Sequence, residues 1–343
     1  MTTSTPSIGI EIQKARQGFE YEYLPLPEPK EGSRDDIRLS LVKSIRPCTE
    51  LSSLNIPSRQ KLLDDWFHEG DLGFIFAPRG LGKTWVALGM GTAIASGGKC
   101  GPWRARGQHR VLYIDGEMPC ESIDKRIRGM GGVENLRVLN HEALFHLTGK
   151  VLNLGDLMMQ EVLTELLLAM GIKVVILDNL SCLFSGVSEN DADEWEIVLR
   201  WLLILRRHRI AVVIVHHSGR NTENMRGTSR REDAAFWVIR LDEVNHEERE
   251  GATFISRFTK DRNSYREQAA LEWKFTNVNG SVEVATQPAS SLDVFRQWIE
   301  DGLVGAEDIA REMHVTKGAV SKLARKAMDQ GWLKKNGRDY AFI

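Results

Sequence analysis

The chain has 343 residues, enough for two domains of ordinary size or for one large and one small. Hydrophobic residues make up 42% and charged residues 27%, which excludes a disordered polar chain. A formal net charge of −2 points the whole chain at neither nucleic acid nor membrane, so any nucleic-acid surface must be a local patch.

Residues 1–46 read as a peripheral arm. The stretch YLPLPEPKEGSRDD within it combines three prolines with mixed charge, which discourages both helix and strand. The arm is expected to be flexible or to dock on a neighbouring subunit. The opening MTTSTPSIGIEIQKARQ lacks the apolar run of a signal peptide, and nowhere do roughly 18 apolar residues run together. A cytoplasmic protein without a membrane partner is the expectation. Cys48, Cys100, Cys120 and Cys182 are too far apart for a C-x-x-C metal pair and read as reduced, mostly buried thiols.

From about Pro47 the character changes. PSRQKLLDDWFHEG reads as a helix leading into the strand GFIFAP, a glycine turn and the helix KTWVALGMGTAIASGG. VLYID at 111–115, KVVILDNL at 173–180 and AVVIVHH at 211–217 are further strands. These short β-branched runs scarcely alternate, as expected of a parallel sheet covered on both faces. Between them, DADEWEIVLRWLLILRRHR places Trp195, Val198, Leu199, Leu202 and Leu205 on one helical stripe. ATFISRFTK and ALEWKFTNV read as hairpin partners. The order predicts an α/β core over 47–285 with a mostly parallel central sheet. TQPASS at 286–291 reads as a linker to a small domain at 292–343.

Residues 77–84, APRGLGKT, fit G-x-x-x-x-G-K-[ST] except that Ala77 replaces the first glycine. Gly80 and Gly82 allow backbone N–H groups to turn onto phosphates at a helix start. Lys83 would reach the β- and γ-phosphates of ATP and the Thr84 hydroxyl would bind Mg²⁺. The cradle is assigned to Ala77, Pro78, Arg79, Gly80, Leu81, Gly82, Lys83, Thr84 and Trp85. Asp178 ends the strand KVVILD, where a carboxylate faces the phosphate loop and can hold the magnesium shell. Taken alone it would read as a strand cap. Glu117, in YIDGEMP, lies one short turn beyond a strand, within reach of an attacking water. Asp115 competes for that role, although its place within the strand end suits a structural one.

These segments resemble the RecA-like hexameric helicases, most closely plasmid replication helicases of the RepA type, over roughly residues 47–280. APRGLGKT looks like the family's Walker A and VVILDNL like its Walker B. YIDGEMP is similar to the segment that carries the catalytic glutamate, which favours Glu117. VIVHHSGR resembles the motif whose polar side chain senses the γ-phosphate, implying His216 or His217. FTKDRNSY looks like the family's K-x-R-N motif, implying that Lys260 and Arg262 act as fingers in the neighbouring subunit's site. MRGTSRREDA is similar to the family's R-G-[ST]-S segment found shortly after VIVHHSGR, and the resemblance implies that the loop at 218–230 faces the central channel. The resemblance implies that Arg220, Arg226, Arg230 and Arg231 touch single-stranded DNA there. Glu189, Asp191, Asp193 and Glu194 fit DNA less comfortably, since acid repels phosphates.

GAEDIAREMHVTKGAVSKLARKAMDQGWLKK resembles the helix–turn–helix of winged-helix proteins. Ile309, Ala310, Met313, Val315, Val320 and Leu323 supply its apolar spacing, Thr316 a cap, and Asn336-Gly337 the turn of the wing. Lys317, Lys322, Arg325, Lys326, Lys334 and Lys335 would meet duplex DNA, or the module would dock a replication protein. The implied whole is an ATP-hydrolysing homo-oligomeric ring, a helicase of a mobile element. The alternatives are an ATP-gated DNA-binding regulator and a recombination mediator.

Overall fold

The computed structural model describes residues 32–186, 192–219, 230–244, 251–265, 268–337 and 339–343, apart from the side chains of 192–194, 230 and 231. The chain divides into two compact units, meeting at Ser58 and Arg59. In the first, α1 (Arg34–Ser44) starts where the Ser33 hydroxyl accepts the Asp36 N–H, and none of its residues is buried. A short 3₁₀ segment, Cys48–Leu54, follows.

The second unit opens with a correction. Instead of the expected helix over 57–70, β1 (Lys61–Leu63) and β2 (Phe67–His68) pair antiparallel across a turn with Asp64 at φ 41°. Leu62, Leu63, Trp66 and Phe67 have helical spacing, yet all four are fully buried from the hairpin. The Trp66 ring meets Trp103, Trp237 and Phe258 edge-on at 5.0–5.2 Å. Packing on that distant cluster outweighs a helix propensity of a few tenths of a kcal/mol per residue, roughly.

Then come β3 (Leu72–Ala77), α2 (Lys83–Ser96), the small hairpin β4 (Lys99–Cys100) and β5 (Trp103–Arg104), and β6 (Val111–Asp115). They are followed by α3 (Cys120–Gly129), β7 (Leu136–Asn140), α4 (His141–Thr148), α5 (Leu157–Ala169), β8 (Val174–Asp178) and α6 (Leu180–Leu183). Next are α7 (Ala192–Arg207), β9 (Ala211–His217), α8 (Arg230–Asp233), β10 (Trp237–Glu243), β11 (Ala252–Asp261), β12 (Leu271–Val278) and β13 (Ser281–Pro288).

One nine-stranded sheet runs β13-β12-β11-β10-β3-β9-β8-β6-β7. From β10 to β7 every pairing is parallel, and β11, β12 and β13 extend the sheet antiparallel. The expected hairpin partners do pair, with Thr253 opposite Lys274. β10 and β13 were not anticipated. Ile75, Tyr113, Ile176 and Val213 enter one core with α2 and α3, while Phe74, Leu112, Val175 and Ile214 enter another with α5, α6 and α7. Both sheet faces are thus covered, which explains the strands' unalternating hydrophobicity. On α7, Trp195, Val198, Leu202 and Leu205 are buried as the stripe predicts. Gly73 lets β3 approach β10 closely, since a Cβ there would lie 2.1 Å from the Trp237 ring.

β13 runs to Pro288, and α9 (Ser291–Glu300) begins at the Ser290 cap. α10 (Ala306–Glu312), α11 (Lys317–Asp329) and the antiparallel pair β14 (Leu333–Asn336) and β15 (Asp339–Phe342) close the chain. They enclose a core of their own, including Phe295, Ile309, Val320, Leu333 and Tyr340. Thr316 caps α11 by accepting the Ala319 N–H. Val315, expected in this core, is 38% exposed.

The cysteines also differ from expectation. All four are free, but only Cys100 is buried; Cys48 and Cys182 are exposed and Cys120 is half-buried. Among the described residues no helix is long and apolar enough to cross a membrane.

Candidate functional site

β3 ends at Ala77, and the chain turns through Gly80 (φ 76°) and Gly82 (φ 90°) into α2. Positive φ is accessible to glycine without penalty, and at Gly82 space adds a second demand. A Cβ there would lie 2.5 Å from the Phe254 ring of β11. The Lys83 ammonium bends back along the loop and donates to the carbonyls of Ala77 (3.0 Å) and Pro78 (2.8 Å). Burial pulls the Lys83 pKa down to about 8, against the opposing charges of Asp178 and Glu117. An anion beside it would restore the charged form.

β9 lies between β3 and β8, so the ends of these strands bring Asp178 and the histidine pair beside the loop. The Thr84 hydroxyl donates to Oδ2 of Asp178 at 2.7 Å. Buried Tyr113 donates to the same oxygen at 2.5 Å. Burial raises the Asp178 pKa while these two hydrogen bonds work to lower it.

Glu117 is held at its main chain by Asp115, whose Oδ1 accepts the N–H groups of Glu117 and Met118. The other Asp115 oxygen accepts from Asn140 at 2.9 Å. Asp115 therefore shapes the turn, and of the two it is Glu117 that lines the cavity. The Glu117 side chain accepts from Nδ2 of Asn179, which lies 3.4 Å from Nε2 of His217. His217 lines the cavity, whereas His216 is fully buried and does not.

The cavity, about 330 Å³, is lined by the loop from Arg79 to Trp85 together with Glu117, Asp178 and His217. Arg126 also lines it, with its guanidinium 4.8 Å from the centre of the Trp85 ring. A glycine-turned loop at a helix start, a buried lysine and an acid at the end of β8 make a phosphate pocket.

Residues 47–223, just over half of the chain, match the family model of the AAA domain. The chain belongs to the AAA domain family. Among solved structures it is similar to a KaiC-like protein from the hyperthermophilic archaeon Pyrococcus horikoshii, at 13% identity over 67% of this chain and 99% of that one, with a TM-score of 0.48. It is also similar to the flagellar accessory protein FlaH from Methanocaldococcus jannaschii, at 14% identity over 63% of this chain and 91% of that one, with a TM-score of 0.43. No curated protein is matched. The AAA domain here is a P-loop ATPase module with a RecA-like fold.

Thr84 and Asp178 give this AAA domain converging oxygen donors beside the phosphate cradle, which suits Mg²⁺. Magnesium is commonly held by one or two carboxylates plus waters and phosphates. When bound, the ion would supply charge neutralisation at the phosphates.

Lys260 and Arg262 stand apart from this pocket. Lys260 is level with Val238, itself level with Phe74, and the Arg262 N–H donates to Phe236, whose own N–H donates to Leu72. Arg262 thus marks the start of β3, whereas the phosphate loop follows its end. Five residues of strand at about 3.3 Å each put roughly 16 Å between those two levels. The Lys260 ammonium donates to the Glu232 carbonyl, and burial lowers its pKa, followed by the charge of Arg262. Asn263 ties this corner down by donating to Asp71 (2.7 Å) and to the Trp66 carbonyl (2.8 Å).

Arg220 and Arg226 lie outside the described residues, as do Glu189 and Asp191. Arg230 and Arg231 lie in α8, with side chains outside the description. Lys322, Arg325 and Lys326 are exposed on α11, and Lys334 and Lys335 are exposed on β14. Lys317 is exposed but paired with Glu307.

Sequence reasoning missed Tyr113, Arg126 and Asn179. Tyr113 and Asn179 carried a usable signal, being polar residues within or just after buried strands. Arg126 carried none, since a basic residue on an amphipathic helix normally faces water.

Proposed function

We propose that this AAA domain protein is an ATP-hydrolysing ring subunit acting on single-stranded DNA, a helicase of the RepA-like kind. Lys83 neutralises the phosphates, Thr84 and Asp178 hold Mg²⁺, Glu117 orients the attacking water, and His217 reads the γ-phosphate. The guanidinium of Arg126, stacked on Trp85 at the cavity rim, offers a flat surface to the base.

The observation that carries the ring is the separation of Lys260 and Arg262 from their own phosphate loop, Arg262 at the opposite end of β3 and Lys260 partway along it. Such a pair serves a neighbour's site, where an arginine finger is worth about 10³–10⁵ in rate. Exposed Phe145, Leu147, Leu157, Met158 and Val162 support a further copy as partner. They lie on α4 and α5, and α4 begins beside the pocket, where Glu142 accepts the Cys120 N–H at 2.6 Å.

The test is ATP hydrolysis against protein concentration, with and without single-stranded DNA. Wild type should rise steeply with concentration and respond to DNA, while Arg262→Ala and Lys83→Ala should each be inactive. Mixing the two variants should recover activity, because one subunit then supplies an intact loop and the other an intact finger. No recovery on mixing, with Arg262→Ala as active as wild type, removes the ring reading.

A second reading rests on the C-terminal elements α9 to β15. Their separate core and their exposed basic residues on α11 and β14 suit a winged helix that locates a duplex site. Duplex binding that needs no ATP, without unwinding, would favour an ATP-gated regulator.

A further inference from the structure

Asn179 follows Asp178 directly and is 1% exposed. Its Oδ1 accepts the Cys182 N–H at 3.1 Å and so caps α6. That cap fixes which way the carboxamide faces: with the oxygen turned to the helix, both hydrogens of Nδ2 are left for the site. One partner of Nδ2 is Oε2 of Glu117, and Nε2 of His217 lies 3.4 Å away. A single amide therefore stands between two residues that line the cavity, a carboxylate and an imidazole.

We infer that Asn179 is a positioning residue that couples Glu117 to His217. Asp115 fixes the Glu117 main chain but leaves its side chain free to turn. The direction of the carboxylate is set by the Asn179 N–H, a charge-assisted bond and so one of the stronger kind. The same nitrogen is shared with His217, so a shift of the imidazole towards a terminal phosphate alters the hold on Glu117. In this way the presence of the last phosphate reaches the water-orienting group through one side chain. The inference rests on the reading of Glu117 and His217 given above.

The test compares Asn179→Ser and Asn179→Asp in the full-length protein. Both keep an oxygen able to cap α6, so both should fold. Asn179→Ser should lower kcat about ten- to hundredfold, the worth of one charge-assisted hydrogen bond, and leave the Kd of a non-hydrolysable ATP analogue within about twofold. Asn179→Asp should be the more severe, because it sets a second carboxylate against Glu117. A residue acting only as a cap predicts the reverse, since Asp caps at least as well as Ser. In a double-mutant cycle, His217→Ala should cost at least about threefold less kcat in the Asn179→Ser background than in wild type.

Additive effects, equal loss of kcat and affinity, or Asp milder than Ser would each overturn the coupling. Glu117→Gln separates the two levels. If it is inactive while Asn179→Ser is silent, only the coupling fails. If Glu117→Gln turns over like wild type, the reading of Glu117 fails and this inference goes with it.

Discussion

Tyr113 and Thr84 donate to one and the same oxygen of Asp178, at 2.5 and 2.7 Å. The two bonds differ in permanence. Thr84 borders the cavity and can turn its hydroxyl to a cation, whereas Tyr113 is fully buried. Tyr113→Phe keeps the ring and removes the anchor of the carboxylate. A hydrogen bond to a charged group is worth about 1.5–3 kcal/mol, so Mn²⁺ affinity, read by electron paramagnetic resonance with ADP present, should fall about ten- to hundredfold. Unchanged affinity would show that Thr84 alone orients Asp178.

Lys83 gives a pH dependence of definite sign. Burial holds its pKa near 8, below the ordinary lysine value, so the ammonium is lost as pH rises through 8 in the free protein. Phosphates require the charged form and raise that pKa on binding. Metal-free ADP affinity should therefore be level below pH 8 and fall above it, by up to about tenfold per pH unit. Titration calorimetry at pH 8–9 should show proton uptake on binding. Lys83→Arg should flatten the profile, since a guanidinium stays charged throughout. A wild-type profile level to pH 9.5 would contradict the account.

Gly82 meets two demands at once, positive φ and contact with Phe254. Gly82→Ala incurs the left-handed penalty and overpacks a buried ring, together about 2–4 kcal/mol. Loss of stability in urea melts by that amount, with nucleotide binding weakened, is the expected outcome. Gly80→Ala should cost the backbone penalty alone, because no atom lies within 4 Å of a Cβ there. Equal effects at the two positions would mean that Phe254 yields freely.

For the C-terminal basic face, Lys322→Ala with Arg325→Ala should weaken duplex DNA binding and leave basal ATP hydrolysis alone. Removing two phosphate contacts should lower the slope of log K against log salt by about 2. An unchanged slope would point to a protein partner for this face.

The sequence by itself determined the phosphate loop, the strand that ends in Asp178, the parallel core and the stripe on α7. Each is written in local periodicity or in a short motif whose spacing the chemistry requires. The helix expected over 57–70 failed because Leu62, Leu63, Trp66 and Phe67 satisfy two periods at once. Only Trp103, Trp237 and Phe258, far along the chain, select the hairpin.

The tertiary structure alone decided which of Asp115 and Glu117, and which of His216 and His217, lines the cavity. In each pair the side chains are near in sequence and alike in chemistry, and what separates them is which one a neighbouring strand buries. It also set Arg262 about 16 Å and Lys260 about 10 Å along the strands from the loop they would otherwise serve, distances fixed by strand register and legible in no local pattern.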